Sequence, residues 1–403
     1  MASQIFRNRA ILSPKYVPET LVHREDALKL LNSLFGGVAS SPSESFLQTV
    51  QLVGPLGSGK TSVMQVFGRS LEQEADRASR SSSWKFKHVY INLKEHGGSR
   101  ITLFRYLLEV VAPGSNSLGI SAEEVLTRIL SYLRQKKIYV MLSLDEVDVW
   151  LKKNEKDGPA VIYDLTRLNE NTPDGVCNIV GIIFTARSTG FHDILDDAEK
   201  STLGRIPIFF RPYSEREIED ILSDRVNSAF HAGAVSADLL HFVANTATSP
   251  PNNGDARYAL ELLRYAGNYA EAQGADKVTV EHVRSAISQM CPTITQEDIM
   301  NLPSPDHALV LLAVASSLRN SRGTYCSFKE IKAEAEILER TRAKNLHGSS
   351  ISDRLDELLQ DLVDRRIVQM QSFREIGIQG APLDSLYRLL ISVLDRMESS
   401  ARN

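Results

Sequence analysis

Eight consecutive residues, Gly54-Pro55-Leu56-Gly57-Ser58-Gly59-Lys60-Thr61, combine glycines, one cation and one hydroxyl in the spacing GxxxxGK[ST]. That spacing suits phosphate chemistry, because a glycine-rich turn lets backbone N–H groups wrap around phosphate oxygens. Gly57 and Gly59 supply the turn, and a helix starting at Lys60, with Thr61 and Ser62 in its first turn, would add partial positive charge. Lys60 would reach the β- and γ-phosphates of ATP or ADP, and Thr61 would ligate Mg²⁺. Further along, Leu144-Asp145-Glu146 ends an apolar run. Asp145 would hold Mg²⁺ directly or through water. Glu146 would act as the base that polarises an attacking water. Asp148, one helical turn on, reads as structural.

These groups can meet only if the elements around them place them together. The loop follows the apolar segment TVQLV and precedes a helix-periodic segment, so it lies between a strand and a helix. Further short apolar runs lie at 88–93, 138–144, 178–185 and 206–212, with helical patterns between them. Runs without polar alternation read as strands buried on both faces, so the expectation is a parallel sheet covered by helices. The acidic pair then falls at a strand's C-terminal end, in the crevice beside the phosphate loop. An arm and a first helix at Leu21–Phe35, stopped by Gly36 and Gly37, precede the sheet. The expected fold class is an α/β P-loop AAA+ core over 1–212, an all-helical lid over 213–291 and a C-terminal winged helix domain over 303–403. Lid helices are expected at 214–232, 236–248, 255–273 and 279–290. A linker, Cys291 to Pro305, contains three prolines. The last unit should hold helices at 305–319, 327–340 and 349–364 and strands near 366–373 and 385–391.

Composition limits the partners. The 403 residues are 42% hydrophobic and 24% charged, an ordinary globular balance. There is no apolar run of 18 residues and no secretory h-region at the start, which argues against a membrane partner and for a cytoplasmic protein. The three cysteines, Cys177, Cys291 and Cys326, form no metal spacing. Net charge is −4, so any nucleic-acid contact must come from local clustering. Residues 303–403 hold 14 Lys+Arg and 14 Asp+Glu, which leaves that unit neutral as well. Its candidate DNA contacts are Ser349 and Ser352 on the third helix and Arg342 and Lys344 just before it. A wing over Phe373–Pro382 adds Arg374 and Gln379, placed for the minor groove.

Several stretches together resemble the archaeal replication-initiator family related to the eukaryotic origin recognition complex and cell division control proteins. They are Tyr16-Val17-Pro18-Glu19 with His23-Arg24-Glu25, GPLGSGKT, LDEVD, and GDARYALELLRYAGNYAE followed by KVTVEHVRSAI. The resemblance covers nearly the whole chain. It implies that the entry segment packs against the adenine, which puts Tyr16, Val17 and Arg24 in the nucleotide site; Tyr213 is a further candidate for that site. It makes Arg257 the sensor 2 arginine and puts residues near 94–113 where the family inserts DNA-touching helices. Two departures stand out. The sensor 1 Asn expected just after GI in NIVGIIFTARS is missing, with Thr185 and Arg187 as the substitutes on offer. Ser201-Thr202-Leu203-Gly204 has Thr where some members carry an arginine finger, and Arg205 is nearby. Both departures favour slow turnover, with ATP as a switch. The implied function is an ATP-dependent initiator that binds duplex DNA at replication origins and helps load a replicative helicase, beside paralogous initiators. A regulatory NTPase, or a transposition helper ATPase, remains as the alternative.

Overall fold

In the computed structural model, residues 3–79, 83–170, 177–204, 207–290, 294–321, 323–342, 350–372 and 375–400 are described. They divide into two compact units.

One unit comprises residues 17–213 with 254–256. It opens with α1 (Glu25–Phe35), β1 (Gln48–Val53), α2 (Lys60–Ala78) and β2 (Lys85–Asn92). Next come α3 (Leu93–His96), α4 (Arg100–Val111), α5 (Ala122–Lys136) and β3 (Ile138–Asp145). It ends with α6 (Val147–Lys153), α7 (Gly158–Thr166), β4 (Ile179–Ala186), α8 (Asp197–Thr202) and β5 (Pro207–Phe209). The strands form one parallel sheet in the order β2-β3-β4-β1-β5. Every residue of β4 is buried, as a strand covered on both faces requires. One face carries α1 and α2 through Leu31, Phe35, Val63 and Phe67. The other carries α4 to α7 through Phe104, Ile129, Trp150 and Ile162. Within the 94–113 stretch, α4 buries Leu103, Phe104, Leu107 and Leu108 in this core.

The second unit comprises residues 1–16, 214–253 and 257–403. Its lid helices are α9 (Glu215–Ala229), α10 (Ala237–Thr248), α11 (Ala256–Ala272) and α12 (Val280–Met290). Then follow α13 (Gln296–Met300), α14 (Pro305–Ser321), α15 (Phe328–Arg342), α16 (Leu355–Asp364), β6 (Gln369–Ser372), β7 (Glu375–Gly377) and α17 (Leu383–Ser400). All residues of α14 from His307 to Leu318 are buried, so it is the central helix on which α15, α16 and α17 pack. Buried Arg284 of α12 donates to the carbonyl of Ile378 at 2.8 Å, and Asn245 Oδ1 of α10 accepts from Tyr325 Oη at 3.0 Å. These bonds join lid helices α12 and α10 to the C-terminal segments just after β7 and just before α15 within the unit.

Four expectations for the C-terminal segment change. The strand expected at 385–391 lies inside α17, where Leu383, Leu386, Leu390, Val393 and Leu394 are buried at helical spacing. The antiparallel hairpin is instead β6 with β7, with Met370 opposite Ile376 and Ser372 opposite Glu375. Gln379 therefore lies past the second strand and not at a wing tip; its Nε2 donates to Asn245 Oδ1 at 3.2 Å in a half-buried contact. The helix expected at 349–364 divides into a 3₁₀ turn, Ile351–Asp353, and α16. Ser352 sits in that turn, and its hydroxyl donates to Glu336 at 3.4 Å. Arg374, Lys344, Ser349 and Arg205 lie outside the described residues; Arg342 is the last residue of α15.

His88 shows what the core demands of polar groups. It sits on β2 against α2, so close that a Cβ on Gly68 would meet its ring at 2.1 Å. Its Nε2 pairs with Ser143 Oγ at 2.8 Å. Burial pushes its pKa down from 6.5 to about 4. Between those values the unfolded chain holds the extra proton, so this contribution is full above pH 6.5 and is lost as pH falls toward 4. Moving from pH 7 to pH 5 should cost about 2 kcal/mol through His88 alone. Urea unfolding of the parent and of His88→Gln at both pH values checks this, with the variant showing a flatter pH dependence.

Candidate functional site

β1 ends at Val53, and the chain turns through residues 54–59 before α2 begins at Lys60. Gly57 has φ +66° and Gly59 φ +89°, the left-handed region open to glycine. Space demands glycine too. A Cβ at Gly57 would lie 1.8 Å from Asp255 Oδ1, and one at Gly59 would lie 2.5 Å from the Tyr213 hydroxyl oxygen. Ser58 is fully buried and its hydroxyl donates to the Pro55 carbonyl at 2.8 Å. Lys60 Nζ donates to the carbonyls of Gly54 at 2.6 Å and Pro55 at 2.8 Å. The 19 residues of α2 aim the positive end of a long helix at this loop.

Arg24, expected at the nucleotide, is buried under the loop. Its guanidinium stacks on the Tyr213 ring at 3.7 Å. Its Nε donates to the Ser58 carbonyl at 2.9 Å and its Nη2 to the Arg211 carbonyl at 3.0 Å. A planar fork on an aromatic face holds loop and strand end in one geometry, which a lysine cannot do. Arg24 and Tyr213 thus support the loop from within the core.

The acidic pair stands at the end of β3. Asp145 is buried, and hydroxyls from three elements donate to it. Thr61 Oγ1 of α2 lies 2.8 Å from Oδ2, and Tyr90 Oη of β2 lies 2.9 Å from the same oxygen. Thr185 Oγ1 of β4 donates to Oδ1. Burial first, and then the Asp145 charge, raise the Tyr90 phenol above its ordinary value, so it stays a donor. Glu146 has φ +59° and its N–H donates to Asp145 Oδ1 and to Thr185 Oγ1, each at 3.1 Å. Its carboxylate accepts from Arg187 Nη2 at 3.2 Å. Asp148 Oδ2 accepts the Arg187 N–H at 3.2 Å, a structural use.

Of the two substitutes after NIVGIIF, Thr185 therefore meets Asp145 and Arg187 meets Glu146. Thr202 is tied into the fold, with its hydroxyl 2.7 Å from Thr166 Oγ1 and its carbonyl accepting from Thr49 at 2.9 Å. Tyr16 lies in the lid unit with the Arg225 guanidinium over its ring at 5.0 Å, and Val17 begins the core unit. Arg257 is the second residue of α11 in the lid unit, while Gly254, Asp255 and Ala256 group with the core. Two contributors were absent from the sequence reading, Tyr90 and Asp255. Tyr90 pairs in register with Ser143, two positions short of Asp145, and only the strand pairing reveals it. Asp255 stands next to the arginine that was singled out.

A phosphate loop after β1, an acidic pair after β3 and the strand order β2-β3-β4-β1-β5 define a nucleotide-binding P-loop protein of the AAA+ class. Family models agree in both units: an AAA domain matches residues 48–195 and a Cdc6 AAA+ ATPase-type lid domain matches 219–288. The chain is 31% identical over 369 residues to ORC1-type DNA replication protein 1 of Sulfurisphaera tokodaii, covering 91% of this chain and 87% of that protein. It is 34% identical over 317 residues to ORC1-type DNA replication protein 1 of Aeropyrum pernix, covering 78% and 76%. Among solved structures, Cdc6p of Pyrobaculum aerophilum superposes with a TM-score of 0.81 at 24% identity, covering 97% of this chain and 99% of that one. The Aeropyrum pernix ORC1 protein, solved in complex with DNA, superposes with a TM-score of 0.63 at 29% identity over 100% of both chains. The chain belongs to the family of ORC1-type DNA replication proteins.

The support role of Arg24 is testable. Arg24→Leu leaves the buried Ser58 carbonyl without this donor, at about 1–3 kcal/mol. Urea unfolding should show a loss in that range, and calorimetry should show weaker nucleotide binding. Arg24→Lys should recover little of either, because an ammonium cannot stack and fork together.

Proposed function

We propose that the chain is an ATP-dependent initiator of DNA replication that binds duplex DNA at origins and turns over ATP slowly. The observation that supports the nucleotide half most directly is the 2.8 Å pairing of Thr61 with buried Asp145 beside a loop closed to any side chain. The residues suit ATP with Mg²⁺. Gly54 to Thr61 would cradle the phosphates, with Ser62 in the same helical turn, and Lys60 would lend its charge to the β- and γ-phosphates. Thr61 and Asp145 would hold Mg²⁺, which neutralises charge on the phosphoryl group. Glu146 would orient and polarise water as the general base. Its pairing with Arg187 restrains that carboxylate, which fits slow turnover and a switch role for nucleotide. Arg257, at the head of α11, would serve as the lid's phosphate sensor.

Family membership supports the DNA half, as does the DNA complex of the Aeropyrum relative. The C-terminal helices with their hairpin would act as a winged helix. Arg342, Lys344, Ser349 and Arg374 are its proposed contacts. Ser352 and Gln379 are weaker members of that set, since their side chains are engaged within the unit. A replicative helicase and paralogous initiators are the proposed protein partners.

Two measurements test this reading. Glu146→Gln should keep nucleotide binding and lower hydrolysis by roughly 10²-fold, the scale of a lost general base; unchanged turnover would remove Glu146 from that role. The second titrates the full chain with ATP against origin and random duplexes at two salt concentrations. Origin preference with a steep salt dependence is expected, and Arg374→Ala should weaken binding and lower the log–log slope by about 1. Equal affinity for any duplex would favour the helper ATPase, and no DNA affinity the regulatory NTPase.

A further inference from the structure

Two carboxylates and one guanidinium meet where β3 and β4 end. Arg187 follows Ala186, the last residue of β4, and its Nη2 donates to Glu146 Oε1 at 3.2 Å. Both partners stand on fixed backbone. Glu146 has φ +59°, held there by its N–H bonds to Asp145 Oδ1 and Thr185 Oγ1. Beside Arg187, the Ala186 carbonyl accepts the N–H of Gly54, the first residue of the phosphate loop, at 3.1 Å. The N–H of Arg187 itself donates to Asp148 Oδ2 at 3.2 Å. The bridge is therefore set by the ends of two paired strands, not by a chance meeting of long side chains.

Asp148 supplies a second observation. It lies at the start of α6, only 6% exposed, and its Oδ1 has no hydrogen-bond partner among the described residues. A buried carboxylate with an unused oxygen costs stability, because its desolvation is only partly offset. The residue that carries this cost fixes the main chain of Arg187 and adds negative potential beside it. The position of Arg187 leaves two roles open. Against a γ-phosphate its charge would speed hydrolysis. Against Glu146 it slows hydrolysis, because a general base must turn a free oxygen toward water. A carboxylate oxygen that accepts from a guanidinium is engaged and held toward the cation.

We propose that Arg187 and Asp148 are positioning residues that hold Glu146 back from water and so set a slow rate of hydrolysis. Asp148 fixes Arg187, and Arg187 fixes the carboxylate. The role rests on the reading of Glu146 as the general base, and it excludes the γ-phosphate as the partner of Arg187. The side chains of Arg187 and Glu146 are 42% and 22% exposed, so water screens the bridge in part. Releasing a pair of that kind should raise the rate of the chemical step by roughly two- to fivefold. Added salt should loosen the bridge in the same direction.

The test measures single-turnover ATP hydrolysis by the full chain, with protein in excess over ATP and Mg²⁺ present, so that product release does not mask the chemical step. Arg187→Gln should hydrolyse ATP roughly two- to fivefold faster than the parent, with ATP and ADP affinities by calorimetry unchanged. Asp148→Ala should also accelerate hydrolysis and add nothing to Arg187→Gln. In a Glu146→Gln background, Arg187→Gln should change nothing, because it acts only through that carboxylate. Raising salt should speed the parent and leave Arg187→Gln flat, and Arg187→Lys should keep part of the slow rate. Circular dichroism reports whether each variant folds; should Arg187→Gln fail, Arg187→Lys and the salt series on the parent carry the comparison. Slower or unchanged hydrolysis by folded Arg187→Gln overturns the proposal, as does acceleration that persists without the Glu146 carboxylate. A Glu146→Gln variant that hydrolyses like the parent removes the general base itself, and the proposal with it.

Discussion

Asp145 is a carboxylate buried at the end of a strand, and removing such a charge from water costs several kcal/mol unless hydrogen bonds replace the water. Thr61, Tyr90, Thr185 and the Glu146 amide supply those bonds, each from a different place in the chain. The constraint runs outward from there. β2 and β4 must pair with β3 in the register that brings Tyr90 and Thr185 to the carboxylate. α2 must begin where Thr61 faces it, which fixes the end of the glycine loop. A slip of one residue in either strand would turn the hydroxyl to the other face of the sheet. The same bonds that make Asp145 tolerable in the core place it beside the phosphate loop. Stability and site geometry therefore have a common cause here.

The loop is held from its other side by a cation. Arg24 comes from the start of α1, stacks on Tyr213 and forks onto carbonyls of the loop and of the segment after β5. Asp255 closes against Gly57. The loop is thus bounded by residues from both ends of the core segment, and neither of its inner glycines can be exchanged without moving a neighbour.

What was legible in the sequence is what depends on short-range spacing. The phosphate loop fits within eight residues, and the buried parallel strands announce themselves as unbroken apolar runs. The observed strands at 85–92, 138–145 and 179–186 follow those runs closely. A seven-residue apolar window is ambiguous, however, and SLYRLLI was read as a strand although it continues a helical stripe from Leu383 to Leu394. That error displaced the hairpin and sent Gln379 to a tip it does not occupy. The part played by Arg24 was hidden for another reason. Its acceptors are backbone carbonyls of Ser58 and Arg211, and no side-chain pattern marks a carbonyl as a partner. Tyr90 was hidden because its relation to Asp145 exists only across a strand pair.

The path of the chain carries one more consequence. The polypeptide passes between its two units after Tyr16, after Tyr213, after Asn253 and again after Ala256. Gly254, Asp255 and Ala256 are encoded between lid helix α10 and the first turn of α11 yet belong to the nucleotide unit. Neither unit is therefore a continuous stretch of polypeptide, and no single backbone cut separates the two intact. A nascent chain that has emerged only as far as Tyr213 still lacks the aspartate that seats on Gly57. The nucleotide unit becomes whole only once half the lid has been translated.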